Sequence, residues 1–534
     1  MNESSLNKTF WNDILRKPIY WLSIAITCCL SYAFDLANRT LSIDDLSRPH
    51  YMHKDNVMIA GTRWGMTLWN DFFGNDEYMP FLDKFWTIIF LILSAVIFSR
   101  ILYIYFWENK HCLLLCIIFS CLWVSFPLIN EIWLYNGANA ISFGNASLAG
   151  LVVLLLYNEQ KLFTKKTLAC AFLLTIVVSS YESGAFLYVS VVLSFLLLDL
   201  IIFDKKKWFC KGIQYAVPLI LAVIMRYVIG FSLIRLMNLQ YEPNGATTIL
   251  WSDGNVYERI PALFFTLLHY YGIRGLIYLP IGEFVFAAFI GFVCGAVFSI
   301  RKKNIFIIFL YLILFLSLFF IPILQGTLMH YRSALSIHYF TAFVFTMALF
   351  ALSFVKNKNY YKITLVFLIY LCYRQSVCLN QTLALNNQRS DNEADLIQNI
   401  GYRLKTEFDD KLVIFAGGMD LGDNINRQRH PNQNTLGGYI YRKLALRYNW
   451  GYEDTLIFDT NVYPIINWNI RAFGHQKMMQ EYLSYYGYDV KTLDDLPWYK
   501  YENYLYMAKD LNMKPYEIRD MGDYIFVYFG DSKW

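Results

Sequence analysis

The chain has 534 residues, of which 57% are hydrophobic, 18% aromatic and only 16% charged, with a formal net charge of +5. A soluble globular protein carries about 25% charged residues. The deficit, with a mean hydropathy of +0.35, excludes an ordinary soluble enzyme and points to a polytopic membrane protein in a lipid bilayer.

A bilayer span needs about 20 apolar residues. Eleven stretches qualify, at roughly 18–35, 84–106, 112–130, 143–157, 167–181, 184–203, 213–232, 280–300, 304–324, 336–355 and 360–380. The first lacks a small-residue cleavage site and reads as an anchor, not a removable signal. Lys8, Arg16 and Lys17 precede it. The other basic clusters each follow an even-numbered span: Lys161, Lys165 and Lys166; Lys205, Lys206, Lys207 and Lys211; Arg301, Lys302 and Lys303; Lys356, Lys358 and Lys362. The positive-inside rule then puts the N-terminus in the cytoplasm, and an odd number of spans puts the C-terminal part outside.

Four pieces carry the external polar sequence: loops 36–83, 130–142 and 233–279, and the tail from about 385. Apolar residues at helical spacing in "HKDNVMIAGTRWGMTLWNDFF" suit one interfacial helix, as they do in "IPALFFTLLHYYGI". In the tail, "EADLIQNIGYRLKTEF" predicts an amphipathic helix and "KLVIFAGG" a buried strand ended by glycine. "HQKMMQEYLSYYGY" predicts a second helix and "DYIFVYFG" a last strand. The expected organisation is a mainly α transmembrane module over 1–384 and an extracytoplasmic α/β domain over 385–534. The ten cysteines lie in or beside apolar runs, apart from Cys210 in a lysine-rich loop. A disulfide-stapled external domain is therefore excluded, and no Cys/His spacing resembles a zinc site.

The candidate chemistry lies on the external side. Asp44 and Asp45 follow the first span by about ten residues, where a carboxylate near the interface can act as general base towards a hydroxyl. Arg48 and His50 are local cations able to keep one ionised. The plain alternative is that Asp44 caps a short helix. In "GTRWG", Arg63 can grip a phosphate bidentately, while Trp64 can stack on a sugar or anchor the loop at the headgroups. Glu182, in "VVSSYESGAF" beside Tyr181, is a carboxylate between two apolar runs with almost no loop, a depth at which ionisable groups usually face a cavity. Its alternative is a tight, wet turn. Arg332, flanked by His330 and His338, can hold a lipid phosphate or simply snorkel. Arg226, inside the seventh stretch, is a second phosphate candidate, or else half of a buried pair with a carboxylate such as Glu283. Glu131, with Trp133 and Tyr135, opens the second external loop and either joins the same cavity or ends a span. There is no nucleotide loop of either glycine pattern and no G-x-S-x-G elbow. "AGGMDLGD" lacks the helix and spacing of a dinucleotide fingerprint and is taken as a strand end. No nucleic-acid partner is expected.

An external D-D-x-x-R (Asp44, Asp45, Arg48), then G-x-R-W (Arg63, Trp64), then S-Y-E (Tyr181, Glu182) resembles the bacterial and phage O-antigen glucosyltransferases of glucosyltransferase II type. The closing "YMAKDLNMKPYEIRDMGDYIFVYFG" fits as well. This resemblance implies a GT-C type membrane glycosyltransferase, inverting, that takes a sugar, commonly glucose, from a polyprenyl-phosphate donor. The acceptor would be a surface polysaccharide or lipid-linked glycan on the external face of the cytoplasmic (inner) membrane, and a companion donor synthase and flippase would supply the donor. It assigns the base to Asp44 or Asp45, with Asp45 the first choice beside the x-x-R, the family's Arg-Trp to Arg63 and Trp64, and its Tyr-acid/amide pair to Tyr181 and Glu182. Glu182 is then a catalytic candidate, and Arg48, Arg63, Trp64, Tyr181, Glu131, Arg226, His330 and Arg332 are substrate-binding candidates. Where such enzymes often read G-R, this chain reads "GTRWG", one residue longer. A lipid phosphate is a tolerable leaving group, so no metal is mandatory; a divalent cation on the aspartates is compatible with the residues. Two other classes fit an external polar surface, a polysaccharide flippase or transporter and a surface-polysaccharide polymerase. No internal repeat marks a transporter, and the folded tail with a carboxylate pair favours transfer over polymerisation.

Overall fold

The structure, a computed structural model, describes residues 3–38, 54–73, 80–127, 129–134, 139–159, 161–203, 208–241, 279–320, 323, 334–408, 410–417, 476–493 and 498–530. The chain divides into two compact units, one drawn from residues up to Asn380 and one built chiefly of Gln381–Trp534.

The first unit is helical. It opens with α1 (Glu3–Phe10), a π-helical turn at Trp11–Leu15 and α2 (Pro18–Ala37). Two short helices follow, α3 (Lys54–Ala60) and α4 (Trp64–Phe73), then α5 (Pro80–Phe106), α6 (Cys112–Ser125) and α7 (Ile129–Leu134). The remainder comprises α8 (Asn139–Leu156), α9 (Lys165–Ser180), α10 (Ser183–Ile202), α11 (Trp208–Leu236), α12 (Leu279–Lys302), α13 (Phe306–Ser317) and α14 (Leu335–Ser353). The last helix, α15 (Lys358–Glu407), runs for 50 residues. Among the described residues, eight helices are long and apolar enough to cross a membrane: α2, α5, α8, α10, α11, α12, α14 and the first part of α15. Each of the eleven predicted stretches overlaps a helix. Three of these helices, α6, α9 and α13, have 14, 16 and 12 residues and are too short to count.

Burial separates a lipid-facing shell from a core. Along α2 the buried residues Tyr20, Ile24, Thr27, Cys28, Ser31, Tyr32 and Asp35 recur at three- and four-residue steps, one stripe of a 3.6-residue helix. Its other face exposes Ile19, Trp21, Leu22, Ile26, Leu30 and Phe34, an apolar surface suited to lipid tails. By contrast α10 and α14 are buried on nearly every side. Hydrogen bonds pin this core: the Tyr20 hydroxyl meets Ser99 Oγ at 3.2 Å and Ser120 Oγ at 3.0 Å, and Trp123 Nε1 donates to Ser94 Oγ at 2.9 Å.

Two sequence expectations change here. The single interfacial helix expected around "AGTRWG" is split into α3 and α4. Thr62 adopts φ +60°, its N–H donates to Ile59 O, and the Arg63 N–H reaches Met58 O. That pair of bonds is the Schellman closure that ends a helix. In the tail, the span at 360–380 and the helix at 393–408 are one element, because Lys358–Glu407 holds no proline and its one glycine, Gly401, falls near the end. The second predicted interfacial helix, at 260–273, lies outside the described residues.

The second unit carries a four-stranded sheet of β1 (Leu412–Ala416), β2 (Lys491–Thr492), β3 (Glu517–Asp520) and β4 (Tyr524–Tyr528), in the order β2-β1-β4-β3. The strand β1 runs parallel to β2 and β4, while β3 pairs antiparallel with β4. Helices α16 (Gln476–Tyr485) and α17 (Trp498–Asp510) complete the unit, over a core of Ile414, Ala416, Ala508, Met513, Phe526 and Tyr528. The predicted strands at 411–418 and 523–530 and the helix at 475–488 are present; β2, α17 and β3 were not foreseen. Gln476 reaches from α16 to β1, where its Oε1 accepts from Phe415 N at 2.9 Å and its Nε2 donates to Phe415 O at 2.7 Å. One side-chain amide thus does the work of a neighbouring strand. Gln476→Ala should strand both buried groups, lower stability by about 1–3 kcal/mol and speed amide hydrogen exchange at Phe415; unchanged exchange there would contradict the reading.

Candidate functional site

The α9–α10 junction is two residues long. Tyr181 is extended (φ −148°, ψ 121°) and Glu182 is the N-cap of α10, yet Glu182 makes no side-chain capping bond. Its carboxylate turns instead to two guanidinium groups. Arg63 donates from Nη2 to Oε2 at 2.9 Å and from Nε to Oε1 at 3.3 Å, a bidentate fork. Arg226, from α11, donates from Nη2 to Oε1 at 2.9 Å. Two positive charges face one negative charge, so the triad keeps an excess of +1.

The backbone has been brought close to make this possible. A Cβ at Gly65 would stand 2.3 Å from Ser179 Oγ and 2.7 Å from Ser180 Oγ, so α4 seats directly on the end of α9. At Gly230 a Cβ would lie 3.0 Å from Thr62 Cβ, so α11 closes on the strained turn before Arg63. Arg226 stitches the three parts: Nε donates to Thr62 O at 3.3 Å and Nη1 to Val178 O at 2.9 Å. Trp64 Nε1 in turn donates to Arg226 O at 3.3 Å, and its ring packs with Ile59 and Ile234.

Exposure separates the two arginines. The Arg226 side chain is 4% exposed, Arg63 15% and Glu182 26%. Nε, Nη1 and Nη2 of Arg226 all have acceptors. Among the described residues, Arg63 Nη1 makes no hydrogen bond, and the Tyr181 ring lies 6.0 Å from the guanidinium. Burial works against ionisation of Glu182, but Arg63 and then Arg226 outweigh it and hold the carboxyl below the ordinary carboxylate range.

The structure therefore brings together Arg63, Trp64, Tyr181, Glu182 and Arg226. Arg226 pairs with Glu182 rather than with Glu283, whose Oε2 accepts from Gln375 Nε2 at 2.6 Å. Trp64 is buried. Glu131 lies on α7. Asp44, Asp45, Arg48, His50, Tyr135, His330 and Arg332 lie outside the described residues. Among the described residues no group of three His, Cys, Asp or Glu side chains is arranged to hold a metal.

A second ionic cluster escaped the sequence reading. Asp35, at the end of α2, forms an ion pair with Lys84 on α5. Its Oδ2 accepts from Trp133 Nε1 at 2.6 Å, and the Trp133 ring stacks on Tyr32 at 4.2 Å. Asp35 and Lys84 are both buried. The signal was present in the sequence: Asp35 interrupts the first apolar run and Lys84 opens the second. Both clusters occupy one end of the bundle. Tyr105, near the C-terminal end of α5, donates to Asp199, near the C-terminal end of α10. The two helices are thus parallel, and Lys84 and Glu182 both lie at their starting end.

Ionisable groups set among apolar helices mark functional sites, and fold and site together define a polytopic membrane protein with a cationic site at one end of its bundle. In the comparison with known families, residues 33–350, more than half of the chain, match "Glucosyl transferase GtrII", and the chain belongs to that family. It is accordingly a membrane glycosyltransferase, as the motif resemblance implied. No curated protein and no solved structure matches it. The matched region contains the whole Arg63–Glu182–Arg226 triad.

Glu182→Gln should leave two guanidinium groups facing each other and lower stability by about 1–3 kcal/mol, less than the 3–5 kcal/mol of a fully buried pair. Because the folded carboxyl titrates below its unfolded value of about 4.3, the triad stabilises above that pH and the contribution is lost as pH falls through the folded value. The difference in unfolding midpoint between wild type and Glu182→Gln should therefore be full at pH 6–8 and shrink on acidification below about pH 4.3; a difference independent of pH would contradict the pairing. Lys84→Met removes the ion-pair partner of the buried Asp35 carboxylate and should cost about 3–5 kcal/mol, recovered in part by the double variant with Asp35→Leu.

Proposed function

We propose that this enzyme transfers a sugar, glucose by its family, from a polyprenyl-phosphate donor to a surface glycan such as O-antigen, on the external face of the cytoplasmic membrane. The observation that carries this reading is the surplus positive charge of the triad, with Arg63 Nη1 left over for an anion. The lysine clusters, by the positive-inside rule, support a cytoplasmic N-terminus; Lys211, which pairs with Asp199 at 2.8 Å, belongs to the bundle end opposite Glu182. That orientation turns the Glu182 end outward, away from soluble nucleotide sugars, and favours a donor delivered by lipid.

In this mechanism an acceptor hydroxyl attacks the anomeric carbon opposite the phosphate. Asp45, or Asp44 beside it, takes the hydroxyl proton. The new C–O bond forms as the anomeric C–O bond to phosphate breaks, and the electron pair leaves with the lipid phosphate, inverting the anomeric centre. Arg63 meets the charge growing on the departing phosphate. Glu182 and Arg226 act as positioning residues: the carboxylate fixes the plane of the Arg63 fork, and Arg226 fixes the carboxylate and the Thr62 turn. Arg48, His330 and Arg332 are further phosphate contacts in this reading, and Glu131 a contact for the sugar or acceptor.

The test is surface-glycan composition in cells carrying wild type, Asp45→Asn or Arg63→Ala. Each variant should lose one sugar type at unchanged protein level, and Arg63→Lys should retain part of the activity, since a point charge replaces a fork. An unchanged glycan with Asp45→Asn and Asp44→Asn would remove the pair from the mechanism.

A further inference from the structure

We infer that Asn145, on α8, together with Ser183 at the start of α10, forms the subsite that recognises hydroxyl groups of the transferred sugar; this rests on the donor reading above. Asn145 is fully buried, and neither its Oδ1 nor its Nδ2 has a hydrogen-bond partner among the described residues. Ser183 is buried as well and its Oγ has none either. Buried polar groups are nearly always bonded, and each exception asks for an explanation. An unpaired primary amide leaves two donors and a carbonyl acceptor idle, the most expensive kind of orphan short of a charge.

Position supplies the explanation. Ser183 follows Glu182 directly. A Cβ at Gly184 would lie 3.2 Å from Asn145 Cβ and 2.6 Å from Val177 Cγ1, so the missing side chain lets α8 and α9 close on the first turn of α10. Asn145 therefore stands against the helix turn that Glu182 caps. The neighbouring Gly144 lies under the indole of Trp69, from α4, whose ring atoms would be 3.1 Å from a Cβ there. Trp69 thus packs on α8 one residue before Asn145.

The chemistry of the orphans selects the ligand. A phosphate only accepts hydrogen bonds, so it would leave Asn145 Oδ1 unpaired. A carbohydrate hydroxyl both donates and accepts, and two adjacent hydroxyls match the donor and acceptor of one amide. A phosphate gripped by Arg63 and a sugar gripped by Asn145 and Ser183 are the two halves of one glycosyl-phosphate donor, divided between the α3–α4 turn on one side and α8 and α10 on the other.

The experiment uses the full-length protein in detergent, with undecaprenyl phosphate and undecaprenyl-phosphate glucose as probes, reading thermal unfolding, donor affinity and turnover. Wild type should bind the glucosylated lipid more tightly than the bare one. Asn145→Leu, which removes the unpaired amide, should unfold at a higher temperature than wild type without ligand, and its preference for the glucosylated lipid should fall about tenfold. Ser183→Ala should fold normally and lose part of the same preference, and serves if the leucine variant fails to fold. Variants that keep the full preference for the glucosylated lipid would overturn the subsite and leave the donor reading intact. A wild type that binds neither lipid would overturn the donor reading, and the inference with it.

Discussion

A carboxylate held between two guanidinium groups organises one end of this protein's helix bundle. Arg63 comes from the turn between α3 and α4, Arg226 from the middle of α11, and Glu182 from the junction of α9 and α10. Without the carboxylate, two like charges would face each other in a medium that screens poorly. With it, three separate pieces of chain become one assembly, and the backbone accommodates them. Thr62, a β-branched residue in the left-handed region, is an uncommon and costly conformation. It persists because its carbonyl serves Arg226 and its side chain is held against Gly230.

Polar ties carry unusual weight in such a bundle. Lipid tails are as apolar as leucine, so burial alone does little to choose one helix neighbour over another. The Asp35–Lys84–Trp133 cluster links α2, α5 and α7 at the Glu182 end, while Tyr105, Asp199 and Lys211 link α5, α10 and α11 at the other. Each cluster joins particular helices at particular positions, and a shift by a helical turn would strand several charges together. The ionic groups thus set the register in which the apolar faces pack.

Much of this was legible in the amino-acid sequence, for identifiable reasons. The helices announced themselves because apolar composition over about 20 residues is a one-dimensional signal. Glu182 stood out because a lone acid in an apolar setting has few ordinary explanations; Arg226, inside an apolar stretch, did so likewise, and Arg63 stood out by its Gly-Thr-Arg-Trp setting. What the sequence hid was partnership. Nothing in the spacing tells Arg226 to choose Glu182 over Glu283, since the choice depends on how α9, α10 and α11 meet in space. The split between α3 and α4 turns on a positive φ at a threonine, a residue that gives no local hint of it. The orphaned amide of Asn145 was invisible for the same reason: an asparagine in an apolar helix announces a hydrogen bond, not the lack of one.

The length of α9 has a consequence for depth. Sixteen residues rise about 24 Å, against about 30 Å of hydrocarbon. In the proposed orientation, with Lys165 and Lys166 at the cytoplasmic surface, the Tyr181–Glu182 turn stops several ångströms short of the outer one. The arginine pair then lies at the bottom of a well, not on a platform. A lipid phosphate would have to sink below its resting level to meet Arg63, and with its sugar held beside Asn145 and Ser183 at a similar depth, the acceptor hydroxyl would have to reach down into the well to meet the anomeric carbon.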